Sequence, residues 1–164
     1  MTQPRLYLVC GLPGAGKTTR SRQIVNSVRA VHLSADDWVV GLGKSLVDYE
    51  FRVKLQDCLL AHAATLLRSG VSVVIEFGSW HRREREAIRE VATREGAVSE
   101  LHFLDAPIDE LSRRVRSRGG PEAEALARDV LLKQFHTFER PSPEEIAAFD
   151  RYVAPNAEWL PASH

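Results

Sequence analysis

The chain has 164 residues, of which 44% are hydrophobic and 27% are charged, a composition typical of a folded globular protein. Its 22 basic and 22 acidic residues balance, so no excess of positive charge attracts nucleic acid or an anionic membrane. No apolar run has transmembrane length, and the first residues lack the pattern of a signal peptide. We therefore expect a cytoplasmic protein without a membrane partner, folded as one domain over residues 1–164.

A glycine-rich turn follows the first predicted strand. Leu6–Cys10 is apolar, residues 11–18 read Gly-Leu-Pro-Gly-Ala-Gly-Lys-Thr, and a helix is predicted from Lys17 to about Arg29. This matches G-x-x-x-x-G-K-[ST], the phosphate-binding P-loop, in the strand–turn–helix context that the motif requires. Backbone N–H groups and the positive end of the helix dipole make such a turn an anion site. The turn therefore predicts binding of a nucleoside triphosphate, and we expect ATP.

The individual positions of this turn predict separate roles. Glycine residues lack a Cβ and allow phosphate oxygens to approach the backbone closely. Lys17 would reach the β- and γ-phosphates, the Thr18 hydroxyl would hold Mg²⁺, and Thr19 is a candidate for an α-phosphate contact. The residues expected to bind the nucleotide at this turn are Gly11, Gly14, Ala15, Gly16, Lys17, Thr18 and Thr19.

Two carboxylates follow the second predicted strand. Residues 30–33 form a short apolar run that ends at Ser34, and Asp36 and Asp37 come directly after it. Phosphoryl transfer often uses a carboxylate to take the proton of the acceptor. We predict that one of the pair is this catalytic base, with Asp36 preferred. The alternative is a structural role, in which the pair supplies a helix N-cap and a negative charge in the first turn of the helix.

The third predicted strand also ends in a carboxylate. A long helix is predicted from Asp48 to Ser69, and the β-branched run Val71–Ile75 is typical of a strand buried on both faces of a parallel sheet. Glu76 ends this run, where an ionised carboxylate is costly unless it is paired or solvated. A water-mediated contact to Mg²⁺ or a hydrogen bond to the acceptor would explain it, and a solvated strand end is the alternative.

A charged helix is predicted from Arg82 to Glu95. Residues at and before its start could line an acceptor site or form a charged helix face. These residues are His81, Arg82, Arg83 and Arg85.

A further strand is predicted over Val98–Leu104, and Pro107 is expected in the first turn of the helix that follows. Arg114 and Arg118 lie four residues apart on one face of that helix. Arginines at this position could close over a triphosphate as a lid of about residues 112–125. The alternative is a solvated face suited to a helix C-terminus.

The rest of the chain completes an alternating pattern. Helices are predicted from about Glu122 to Phe138 and from Ser142 onward, and the tail after Val153 is expected on the surface. Strands that alternate with helices predict a doubly wound α/β domain with a mostly parallel sheet. Ligands bind at the carboxyl ends of the strands in such sheets. Four features should therefore meet at one edge: Lys17, the pair Asp36 and Asp37, Glu76, and the loop after Leu104.

Several segments together resemble a known family, the small bacterial P-loop kinases and AAA-type ATP-binding proteins. This group is related to the 5′-kinase domain of polynucleotide kinase, to gluconate kinase-like enzymes, to zeta toxin and to chloramphenicol phosphotransferase. The matching segments are residues 11–19, 33–38, 75–80 with Arg85, 109–111 with Arg114 and Arg118, and 138–142 with Glu145.

The resemblance implies a three-layer P-loop NTPase fold with strand order 2-3-1-4-5, helices on both faces and a small helical lid. It implies Mg-ATP as the phosphoryl donor. Asp36 falls where polynucleotide kinases carry the Asp that activates the acceptor, and Arg118 and Arg114 fall at lid arginines. Two positions depart from those enzymes, which have Arg where this chain has Val39 and Asp where it has Glu76.

These features predict a kinase that transfers the γ-phosphate of ATP to a hydroxyl of a small molecule, such as a sugar, a nucleoside or an antibiotic-like compound. The missing Arg at Val39 and the neutral net charge argue against a nucleic-acid 5′ end as the acceptor. A nucleic-acid 5′-end kinase and an ATP-binding switch without transfer activity stay open as alternatives. The acceptor and the oligomeric state are not determined by the sequence.

Overall fold

Strands and helices alternate along the chain in the computed structural model, which describes residues 3–119 and 128–161. The strands are Arg5–Cys10 (β1), Ala30–Ser34 (β2), Ser72–Glu76 (β3), Val98–Phe103 (β4) and Arg151–Val153 (β5). The helices are Lys17–Ser27 (α1), Ala35–Gly41 (α2), Tyr49–Arg68 (α3), Arg82–Arg94 (α4), Ile108–Arg118 (α5), Arg128–Thr137 (α6) and Pro143–Ala148 (α7).

The strands form one parallel sheet in the order β2-β3-β1-β4-β5. In the central strand β1, Leu6, Tyr7, Leu8 and Val9 are all at most 3% exposed, so both faces of the sheet are covered, as helices on both sides require. The predicted fold class and strand order are confirmed as a P-loop NTPase-like fold. In the described residues, no helix has the length and apolar character needed to cross a membrane.

The end of the chain differs from the prediction. β5 is a short edge strand that pairs with β4, and Trp159 beyond it is 3% exposed. The indole Nε1 of Trp159 donates a hydrogen bond to Glu100 Oε1 on β4 at 2.6 Å. The prediction of a tail on the surface is therefore wrong for Trp159. Three residues are too few to show strand periodicity, and the partner of Trp159 lies far away in sequence.

Other boundaries shift by a few residues. Pro107 is the N-cap of α5 and not a residue of its first turn. α6 begins at Arg128 in the described residues, and residues 122–127 of the predicted helix lie outside them, as do residues 120–125 of the predicted lid.

A buried ion pair positions the loop that follows β3. Nε and Nη2 of Arg85 donate to the two carboxylate oxygens of Glu145 at 2.6 and 2.9 Å, and the side chains are 0% and 2% exposed. Nη1 of Arg85 donates to the carbonyl oxygens of Ser79 and Trp80 at 3.1 and 3.2 Å. Neither alternative given for Arg85, an acceptor site or a charged helix face, holds, because its side chain is buried and bound to Glu145 and to this loop.

We expect Arg85→Met to lower the free energy of unfolding by about 3–5 kcal/mol, because it leaves the buried Glu145 carboxylate without its cation. Chemical denaturation would measure this. Arg82→Met is the matched control on the same helix, since the side-chain ion pair of Arg82 with Glu86 is partly exposed, and its loss should change the free energy by less than about 1 kcal/mol. Equal losses in the two variants would contradict the role of the buried pair.

Candidate functional site

The glycine-rich turn packs directly against neighbouring backbone. Gly11 and Gly14 have φ of 150° and 83°, which residues with a Cβ rarely adopt. A Cβ on Gly11 would collide with the carbonyl oxygen of Leu104, and a Cβ on Gly14 would lie 2.8 Å from the carbonyl oxygen of Leu111. The absence of side chains therefore allows the end of β4 and the start of α5 to lie against the turn.

Lys17 begins α1 and lies under the turn. Its Nζ donates to the carbonyl oxygen of Leu12 at 3.2 Å, a partner that a phosphate oxygen could replace. Burial lowers the pKa of Lys17, against the opposing influence of the Glu76 and Asp36 carboxylates. The negative charge of a bound phosphate would stabilise the protonated form of the buried Lys17 ammonium.

Thr18 and Glu76 lie side by side. The Thr18 Oγ1 donates to Glu76 Oε1 at 2.7 Å, and His32 Nε2 lies 2.9 Å from the other carboxylate oxygen. Burial alone would raise the pKa of Glu76, but the hydrogen bonds from His32 and Thr18 lower it below its ordinary value of 4.5. Glu76 is thus an ionised carboxylate beside the predicted Mg²⁺ ligand.

The oxygen atoms of Thr18 and Glu76 fit Mg²⁺, which is bound in nucleotide sites by one or two protein oxygens together with phosphate oxygens and water. Within residues 3–119 and 128–161, no group of three or more His, Cys, Asp or Glu side chains forms a metal site. A cation here would therefore depend on the phosphates of a nucleotide.

Asp36 and Asp37 lie in the first turn of α2, at the carboxyl end of β2. The Ser34 Oγ accepts the hydrogen bond from the Asp37 N–H at 3.3 Å, so Ser34 is the N-cap and Asp36 is not needed in that role. Asp36 Oδ1 instead lies 2.8 Å from Arg52 Nη1 on α3, and its side chain is 52% exposed.

Sequence reasoning missed Arg52. It lies sixteen positions after Asp36, in a helix whose apolar spacing predicts one buried face and no functional residue. Only the packing of α2 against α3 brings the two side chains together, so no local signal distinguished Arg52 from the other charged residues of that helix.

The two arginines of the predicted lid have different surroundings. Arg114 donates from Nε to Glu110 Oε1 at 2.7 Å and from Nη1 to the carbonyl oxygen of Gly14 at 3.3 Å. Arg114 therefore joins α5 to the glycine-rich turn. Arg118 is exposed and lines the cleft above the turn.

One polar cleft brings most of these residues together. Of the predicted site residues, Thr19 is exposed and Ala15 is buried, and neither lines the cleft, nor do Gly11 and Arg114. His81, Arg82 and Arg83 line a separate surface depression. The residues that line the cleft are Pro13, Gly14, Gly16, Lys17, Thr18, Ser34, Asp36, Asp37, Glu76, Val115, Arg118 and Gly119.

Comparison with known proteins agrees with this arrangement. The sequence profile of a family described as an AAA domain matches residues 6–141, a range that contains every residue of the cleft. The chain belongs to this family. No curated protein matches the chain.

Solved structures similar to this member of the AAA-domain family include kinases. A candidate kinase from Chloroflexus aurantiacus is 28% identical, with a TM-score of 0.64 over 82% of this chain and 76% of that chain. The APS kinase CysC of Mycobacterium tuberculosis, solved with AMPPNP and APS, is 21% identical, with a TM-score of 0.67 over 95% of this chain and 91% of that chain.

A chain of the Pnkp1/Rnl/Hen1 RNA repair complex is 22% identical, with a TM-score of 0.64 over 85% of this chain and 47% of that chain. The two similarities below 25% identity show the fold alone. Together the family match and these structures show a kinase-like P-loop fold.

The lowered pKa of Glu76 predicts a pH dependence of stability. Glu76 should stabilise the folded protein above its unfolded pKa of about 4.5, and this contribution should be lost as pH falls through the lower folded pKa. The difference in free energy of unfolding between the native protein and Glu76→Gln should therefore be largest near neutral pH and shrink below about pH 4.5. Denaturant titrations from neutral to acidic pH would measure it. A difference that does not change with pH would contradict this account.

Proposed function

We propose that the protein is a kinase that transfers the γ-phosphate of ATP to a hydroxyl group of a small molecule. The observation that carries this proposal is the polar cleft in which Lys17 and Thr18 of the P-loop share one space with the Asp36 carboxylate and Arg118. A phosphate site alone needs no carboxylate, but transfer to a hydroxyl needs a group that takes its proton.

In the proposed reaction the hydroxyl oxygen of the acceptor forms a bond to the γ-phosphorus, and the bond from that phosphorus to the bridging oxygen of ADP breaks. The hydroxyl proton passes to a carboxylate oxygen of Asp36. Lys17 and the backbone N–H groups of the turn bind the phosphates, and Arg118 stabilises the charge that develops on the transferred group. When bound, Mg²⁺ would neutralise phosphate charge beside Thr18 and Glu76.

The Arg52 contact favours Asp36 over Asp37 as the base. Arg52 Nη1 lies 2.8 Å from Oδ1 of Asp36, and this ion pair holds the carboxylate beside α3. Asp37 is exposed like Asp36, but it has no comparable ion pair among the described residues. A held carboxylate maintains the geometry that proton transfer requires.

A small-molecule acceptor is favoured over a nucleic-acid end. Val39, which stands where polynucleotide kinases carry an Arg, is 0% exposed, so no side chain at that position reaches the cleft. The net charge of zero supplies no general attraction for a phosphate backbone.

Asp36→Asn should lower kcat by about 100- to 10,000-fold, because the amide cannot take the proton, while its carbonyl oxygen can still lie beside Arg52 Nη1. ATP affinity measured by calorimetry should stay within about twofold, since the P-loop contacts are retained. Asp37→Asn is the matched control and should keep most of the activity. A loss confined to Asp37→Asn would assign the base to Asp37, and full activity in both variants would contradict proton transfer to this pair.

Arg118→Ala should lower kcat by about a hundredfold, the typical effect of removing one group that stabilises developing charge, with a smaller change in KM for ATP. Arg116→Ala removes another exposed arginine from the same helix and serves as the control for a general loss of positive charge. Equal kcat values for the two variants would assign Arg118 to the surface rather than to the site.

A further inference from the structure

A second polar feature lies beside Asp36, in a groove between α3 and the loop that follows β3. Arg52 and Gln56 lie four residues apart on α3 and therefore share one face. Trp80 faces them from the loop. Its carbonyl oxygen accepts hydrogen bonds from Arg85 Nη1 at 3.2 Å and from the Glu139 N–H at 3.0 Å. Hydrogen bonds to its backbone thus hold the loop side of the groove in place.

Gly78 lies at the centre of this groove. A Cβ built on Gly78 would lie 3.7 Å from Arg52 Nη2, 3.7 Å from Trp80 Nε1 and 3.9 Å from Gln56 Nε2. Three side-chain nitrogens therefore converge beside Gly78. Gly78 does not have the left-handed φ of the turn glycines, so its backbone does not require glycine. A side chain at this residue would instead lie against the three nitrogens.

These nitrogens have hydrogen atoms to donate. Guanidinium and indole N–H groups can only donate, whereas the glutamine amide can donate or accept. In the described residues, Arg52 uses Nη1 for both Asp36 and the carbonyl oxygen of Leu46, and neither Arg52 Nη2 nor Trp80 Nε1 has a hydrogen-bond acceptor. All four groove residues are half-buried, so a ligand bound here would be partly shielded from water.

The charge of the groove selects the kind of oxygen that would bind. Arg52 is permanently positive, and its planar fork suits carboxylate and phosphate oxygens. Its contact with Asp36 leaves Nη2 free to bind an anion. An ionised oxygen group would satisfy two obligate donors and gain a charge-assisted hydrogen bond, whereas a neutral hydroxyl would gain less.

We propose that the groove formed by Arg52, Gln56, Gly78 and Trp80 binds a carboxylate or phosphate group of the phosphoryl acceptor. This inference rests on the proposed kinase function and narrows its acceptor to an acidic small molecule. The anion in the groove would place a neighbouring hydroxyl of the same molecule beside Asp36, because Arg52 contacts both the base and the groove.

Binding of simple anions tests the groove without any need for turnover. The protein, ¹⁵N-labelled and saturated with Mg-ADP to occupy the P-loop, would be titrated at constant ionic strength with acetate, inorganic phosphate or glycerol. The indole N–H signal of Trp80, assigned with Trp80→Phe, should shift in a saturable way with acetate, phosphate or both. It should not shift with the neutral glycerol. The two anions distinguish a carboxylate site from a phosphate site.

Gly78→Ala should weaken this anion binding by about tenfold or more, because its methyl group would lie within 4 Å of all three nitrogens and would hinder the approach of an anion to them. Its contacts would be ordinary van der Waals contacts, so the Tm should change little. Gly41→Ala is the matched control, since a Cβ there meets nothing within 4 Å, and it should bind anions as the native protein does. Gln56→Glu should also abolish binding, because it adds a negative charge to the groove.

The proposal would be overturned by a Trp80 signal that neither anion shifts, by an equal shift with glycerol, or by native-like affinity in both Gly78→Ala and Gln56→Glu. Phosphoryl transfer is then tested by incubating aldonic acids, sugar phosphates and their neutral parent sugars with Mg-ATP. Mass spectrometry would detect the added phosphoryl group. Equal or faster phosphorylation of the neutral parents would overturn the acidic acceptor. Anion binding without transfer to any compound would count against the kinase proposal and leave the groove intact.

Discussion

The close contact between the P-loop and its neighbouring backbone is the constraint on which the site depends. Gly11 and Gly14 approach the carbonyl oxygens of Leu104 and Leu111 more closely than any residue with a Cβ could. The turn therefore packs tightly against the end of β4 and the start of α5. The same contact brings Arg114 to the carbonyl oxygen of Gly14 and carries Arg118 over the cleft. Phosphate binding and arginine placement are consequences of one backbone arrangement.

Two buried carboxylates of the sheet show how position along a strand separates structural from functional roles. Glu100 lies within β4 and is bonded by His102 Nε2 at 3.0 Å and by the indole of Trp159. Burial opposes ionisation of Glu100, but the bond from His102 and its other polar partners lower its pKa. Glu76 has a similar environment, but it lies at the carboxyl end of β3 and so lines the cleft. One carboxylate fastens the C-terminal segment, and the other faces the phosphate site.

The features predictable from the sequence were those with local signals. The P-loop, the buried β-branched strand before Glu76 and the alternation of helices and strands each depend on residues close together in the chain, and the strand order followed from the family resemblance. The missed features depend on long-range packing. Neither the burial of Arg85 by Glu145 nor the pairing of Arg52 with Asp36 has a local pattern, because a charged residue on a helix has the same sequence appearance whether its partner is water or a distant carboxylate.

Arg52 also has a consequence for selectivity. Its guanidinium holds Asp36 through one nitrogen and faces the groove at Gly78 with another. If the groove binds the acceptor, a compound without an anionic group would bind less tightly. Arg52 would then also be held less firmly beside the base Asp36. Discrimination between acceptors would then act on the chemical step as well as on binding. Arg52 would thus link recognition of the acceptor to proton removal, because its guanidinium contacts both the base Asp36 and the groove.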